Sequence, residues 1–88
     1  MKSKAKVKLL KALGNERRLL ILERLLVHSD LCVADVADGL GISYPAAVKH
    51  LQCLERARCI DRKRSGQYVL ASLDETAVLL TRAVLAID

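Results

Sequence analysis

The chain has 88 residues and a formal net charge of +5, from fifteen Lys and Arg against ten Asp and Glu, and its 52% hydrophobic share includes only two aromatics, both Tyr. Such a composition builds one small domain around Leu, Val, Ile and Ala, which suits helices packed on helices, and buries a modest surface to which an extra interface would add. No apolar run reaches the length of a membrane span, and no signal-peptide pattern opens the chain, so a cytoplasmic protein with no membrane partner is expected and Cys32, Cys53 and Cys59 are expected as reduced thiols.

Lys2, Lys4, Lys6 and Lys8 read as a solvated basic start, while Val7, Leu10 and Leu13 set the spacing of a first helix over about 5–13. Asn15 can then cap a second helix running to about Val27, with Leu19, Leu22, Leu25 and Leu26 inward. Val33, Val36, Ala37 and Leu40 recur at helical spacing, and Gly39-Leu40-Gly41 predicts a stop near Gly39. A further helix over about 44–56 is announced by Ser43, whose hydroxyl can accept from a first-turn amide, and by Pro45, tolerated where amides lack helical partners.

The faces of that helix separate. Ala47, Leu51 and Leu54 fall on one side, and Tyr44, Pro45, Val48, Lys49 and Gln52 on the other. A phenol, an aliphatic group, a cation and an amide on one presented face are the chemistry that reads base edges in a major groove. His50 reads as a helix-packing or phosphate-contacting residue. Two strand-like runs follow, Cys59–Arg64 and Gln67–Ala71, joined by Ser65-Gly66 as a tight hairpin over about 60–71. Arg62, Lys63 and Arg64 make its tip positive, with Gln67 and Tyr68 beside them; phosphates placed there would release counterions, and such cations also keep an edge strand from pairing with other chains.

The last helix, about 74–87, is expected to open with a capping box formed by Ser72 and Glu75. From Ala77 to Ile87 it is apolar on nearly every side, interrupted by Thr81 and Arg82, so it needs burial on more than one face.

The order and spacing of these segments resemble the ArsR/SmtB-type winged helix-turn-helix repressors. The likeness is carried by Lys11–Leu22, Leu31–Ala37, Gly41–Leu51, the hairpin, and Tyr68–Leu73. The resemblance implies a mainly α fold of about five helices with a small β-hairpin wing, filling 1–88 as a single DNA-binding domain. It implies a homodimer through the first and last helices, with Val7, Leu10, Val78, Leu80, Val84 and Ile87 as interface residues, bound to a double-stranded operator. The DNA-binding residues would be Ser43, Tyr44, Pro45, Val48, Lys49, His50, Gln52, Arg62, Lys63, Arg64, Gln67 and Tyr68.

Family members that sense zinc-like metals carry His and carboxylate ligands on the last helix, whereas this one has Asp74, Glu75 and Asp88 but no His; His28 and His50 lie elsewhere. Members that sense soft ions use a Cys-Val-Cys near Cys32, where this chain has Cys32-Val33-Ala34. The usual metal sites therefore read as lost, no cofactor is expected, and Cys53 and Cys59 read as small core hydrophobes. Cys32 is the one candidate thiol or soft-metal sensor. The inducer is not legible. No phosphate loop, paired catalytic carboxylates or activated nucleophile is present, so catalysis is not expected. A winged helix reused as a protein-interaction adaptor is the alternative from another class.

Overall fold

The computed structural model describes Ser3–Ile87; Met1, Lys2 and Asp88 lie outside the described residues. Five helices and one small sheet follow in the order α1 (Ser3–Leu13), α2 (Glu16–Val27), β1 (Leu31–Cys32), α3 (Val33–Leu40), α4 (Tyr44–Arg56), β2 (Ile60–Ser65), β3 (Tyr68–Leu73) and α5 (Glu75–Leu85). The fold is a winged helix-turn-helix.

Local chemistry explains most boundaries. The Asn15 carboxamide accepts from the Arg18 amide at 3.1 Å, and the Arg18 guanidinium donates to the carbonyls of Ala12 (2.7 Å) and Lys11 (3.1 Å). One short segment thus caps the start of α2 and closes the end of α1. Helix α3 runs to Leu40, one residue past the expected stop, because Gly41 and not Gly39 takes the left-handed cap, at φ +66°. Gly39 is required for another reason: a Cβ there would lie 2.6 Å from the Arg24 guanidinium, which packs across α3.

Two expectations are corrected. Helix α5 is capped by Asp74, whose carboxylate accepts from the Thr76 amide at 3.0 Å, and not by Ser72, which stays in β3 opposite Asp61. Sheet pairing competes for Ser72 and wins, while a carboxylate two residues later serves the same helix end. The hairpin turn is Gly66-Gln67, not Ser65-Gly66, since Ser65 pairs with Tyr68. Gly66 alone in that turn has positive φ, at the first central position, as a II′ turn requires.

The sheet has a third strand that local periodicity did not show. Leu31 and Cys32 pair antiparallel with Ala71 and Leu70, giving the order β1-β3-β2 and tying the hairpin to the start of α3. The core lies where α2, α3, α4 and this sheet meet: Ile21, Leu22, Val36, Ala47, Leu51, Leu54, Cys59 and Ile60 are almost wholly shielded. In α2 it is Ile21 with Leu22 and Leu25 that is fully inside, while Leu19 and Leu26 are only half-buried.

Two positions hold stored cost. Arg58, in the turn after α4, has φ +61°, with the Arg58 amide bonded to the Glu55 carbonyl and the Cys59 amide to the Leu54 carbonyl. A left-handed conformation costs a residue with a Cβ about 1 kcal/mol relative to Gly. In α5, Thr81 is fully buried and its hydroxyl has no partner. Arg58→Gly should therefore raise the free energy of unfolding by about 1 kcal/mol, and Thr81→Val by about 1–3 kcal/mol. Urea unfolding checks both. Leu51→Ala should cost about 2–5 kcal/mol in the same assay.

Candidate nucleic-acid interface

Helix α4 is held by the edge its sequence predicts: Ala47, Leu51 and Leu54 are buried against the core. Ser43 caps it, accepting from the Ala46 amide at 3.2 Å, and Pro45 occupies the first turn. The first turn is consequently rigid and exposed. Tyr44, Pro45 and Lys49 stand in solvent, whereas Val48 leans back and packs partly on the core, and Gln52 is half-buried.

The wing meets this end of the helix. Cys32, Val33, Ala34, Tyr44, Gln67, Tyr68 and Val69 line a cleft of about 340 Å³ between α4 and the hairpin. Tyr44 and Tyr68, each 54% exposed, thus border one surface although they are far apart in sequence. Cys32 forms part of its base, and its thiol donates to the Asp35 carboxylate at 3.1 Å. Both the cleft and this bond depend on β1, because pairing with Leu70 sets Cys32 beside the wing.

The three wing cations are not equivalent. Side chains alternate along a strand, so Arg62 shares the face of Ile60 while Lys63 takes the other. Arg62 is half-buried and donates through Nε and Nη2 to one Glu55 oxygen at 3.1 and 2.9 Å. The expectation of three free cations at the tip is therefore corrected: Glu55 neutralises Arg62 and fastens β2 to the reading helix, leaving Lys63 and Arg64 exposed. Glu55 carried no signal in the sequence, because the pair spans two elements.

His50 sits on the flank of α4 that faces α2. Burial, then the positive charges of Arg18 and Arg17, lower its pKa below the usual 6.5. Arg17 was not among the residues singled out from sequence. Cys59 is buried, and its thiol is pushed up to about 11, first by desolvation and then by Cys53 and Asp74. Cys53 is half-buried against the core. Among the described residues no group of three or more His, Cys, Asp and Glu is placed to hold a metal ion, and no helix is long and apolar enough to cross a membrane.

The apolar residues expected at an interface divide. Val7, Leu10 and Ile87 are exposed, Leu10 at 65% and Ile87 at 74%, while Val78, Leu80 and Val84 are half-buried. Leu79, at 74%, is a more exposed residue of α5 than any of those three.

Comparison with known proteins agrees with this geometry. Residues 15–62 match the model of the bacterial regulatory proteins of the arsR family. The chain is 38% identical over 72 residues to the transcriptional activator HlyU of Vibrio cholerae, covering 82% of this chain and 66% of that protein, just under two thirds of its length. It is 35% identical over 68 residues to the transcriptional repressor SdpR of Bacillus subtilis, covering 77% and 74%. Among solved structures, HlyU superposes with a TM-score of 0.85 at 30% identity over the whole of both chains. A homodimeric winged helix-turn-helix DNA-binding domain from Mycobacterium bovis gives a TM-score of 0.89 at 26% identity, over 96% of this chain and 78% of that one.

The depressed pKa of His50 has a stability consequence. The unfolded chain takes up the proton first as pH falls, so the contribution of neutral His50 is intact above about 6.5 and is lost as pH drops through the folded value. Wild type should lose more stability than His50→Gln between about pH 7 and 5. Arg17→Ala should raise the His50 pKa in an NMR titration; an unchanged value would show that Arg17 does not face it.

Proposed function

Because the chain belongs to the arsR family of bacterial DNA-binding transcriptional regulators, we propose that it is a homodimeric repressor that reads a double-stranded operator with α4 and holds it with the wing. The carrying observation is the single cleft shared by Tyr44 of the reading helix and Gln67 and Tyr68 of the wing. A duplex seated on α4 would meet base-facing groups from Tyr44, Pro45, Val48, Lys49 and Gln52, with Lys63 and Arg64 alongside its phosphates. Ser43 serves by capping the helix, Arg62 by bracing the wing, and His50 by seating α4 on α2.

The dimer reading rests on exposed apolar residues of α1 and α5, Val7 and Leu10 on one and Leu79, Leu85 and Ile87 on the other. A two-fold pair through these helices buries them and sets two reading helices about one turn of DNA apart. Repression follows from occupancy, since a dimer on its operator excludes polymerase from an overlapping promoter. The inducer is not a zinc-like metal in this reading; the absence of His from α5 supports it.

Lys49→Ala and Tyr44→Ala should each lose about 1–3 kcal/mol on the operator and little on unrelated duplex. Lys63→Ala and Arg64→Ala should weaken all duplexes and lower the salt slope by about 0.9 each, whereas Arg62→Ala should lower it less, because Glu55 already neutralises that charge. Fluorescence anisotropy across a salt series reads both effects. Equal slopes for the three wing variants would contradict the assignment of Arg62.

Leu10→Glu and Leu79→Glu should give monomers in sedimentation at micromolar concentration. A wild-type monomer would remove the dimer from the account.

A further inference from the structure

A second positive surface lies at the opposite end of α4. A groove of about 370 Å³ is lined by Lys4, Ala5 and Lys8 of α1 and by Arg56, Ala57 and Arg58 at the end of α4. Lys4 and Lys8 are four residues apart and share one side of their helix. Four cations converge there, and no acid among the described residues lines the groove.

Three features run against a merely structural account of this cluster. The last carbonyls of α4 welcome a cation, but those of Cys53, Leu54 and Glu55 are already taken by the amides of Ala57, Cys59 and Arg58. Lys4 stands in the first turn of α1, which holds no acid, where the helix dipole favours negative charge. Arg58 keeps a long charged side chain at φ +61°, a position Gly would fill without strain. Mutual repulsion, an adverse dipole and backbone strain therefore coincide on one groove. A multiply charged anion would relieve the first two and give the third a use.

We propose that this groove binds a small anion bearing two or more phosphate groups, with Lys4, Lys8, Arg56 and Arg58 as its ligands. Guanidinium groups meet phosphate oxygens through paired N–H donors, and lysines add mobile point charges. The site is separate from the reading surface: Arg56 lies about 18 Å along α4 from Tyr44, at the helical rise of about 1.5 Å per residue. A concave groove of this size takes a compact polyphosphate. The rod of a duplex seated on Tyr44 and the wing lies at the other end of the helix.

Calorimetric titration of the full chain with inorganic triphosphate at physiological salt, without DNA, tests the proposal, with amide shifts mapped by NMR. The expected result is saturable binding, one anion per chain, with shifts concentrated at residues 4–8 and 56–58. Arg58→Gly keeps the turn and removes the guanidinium, and should weaken binding about tenfold or more, as should Lys4→Gln with Lys8→Gln. Duplex binding by these variants, measured separately, should keep its sequence preference. Absence of saturable binding, equal binding by Arg58→Gly, or shifts centred on Lys63–Tyr68, which would mean that the wing takes the anion, would each overturn it.

Discussion

One helix has to be buried along one edge and bare along the other, and the rest of this small fold is arranged to allow it. Ala47, Leu51 and Leu54 seat α4 with almost no exposure, so its first turn is positioned by the core and not by the surface it presents. Each of those side chains contributes on the order of 1–3 kcal/mol through burial, with Ala47 at the low end, far more than any surface ion pair offers. Everything exposed on α4 can therefore vary in chemistry without loosening the helix. This is the physical basis for a surface that specifies a sequence.

The wing is fixed to that helix by two devices of different strength. Pairing of β1 with β3 joins the hairpin to the start of α3, and the Glu55–Arg62 ion pair joins it to the end of α4. The ion pair is partly exposed and is worth at most about 1 kcal/mol, so it sets orientation more than stability. Its cost is one cation withdrawn from the phosphate surface. Charge on this molecule is thus divided: Lys63 and Arg64 on the wing, and a separate cluster between α1 and the end of α4.

Much of this was legible because it is local. The caps at Asn15 and Ser43 follow from side-chain reach, and the buried edge of α4 follows from helical spacing. What was not legible depends on partners distant in sequence. Two residues such as Leu31 and Cys32 carry no periodicity, and they become a strand only because β3 offers an open edge. Ser72 and Asp74 both suit a helix cap, and sheet pairing decides between them. Arg62 reads as a free cation until Glu55 is folded against it. Arg58 lacks the glycine that marks a left-handed turn, yet backbone bonds at the end of α4 impose that conformation.

The central claim is that two copies of α4 lie in successive major grooves on one side of a duplex, each flanked by a wing. Guanine N7 methylation interference on an operator bound by the full chain tests this most directly, since N7 lies in the major groove. The account predicts two interfering patches related by two-fold symmetry and centred about 10 base pairs apart. A single patch, or binding indifferent to N7 methylation throughout the site, would contradict it.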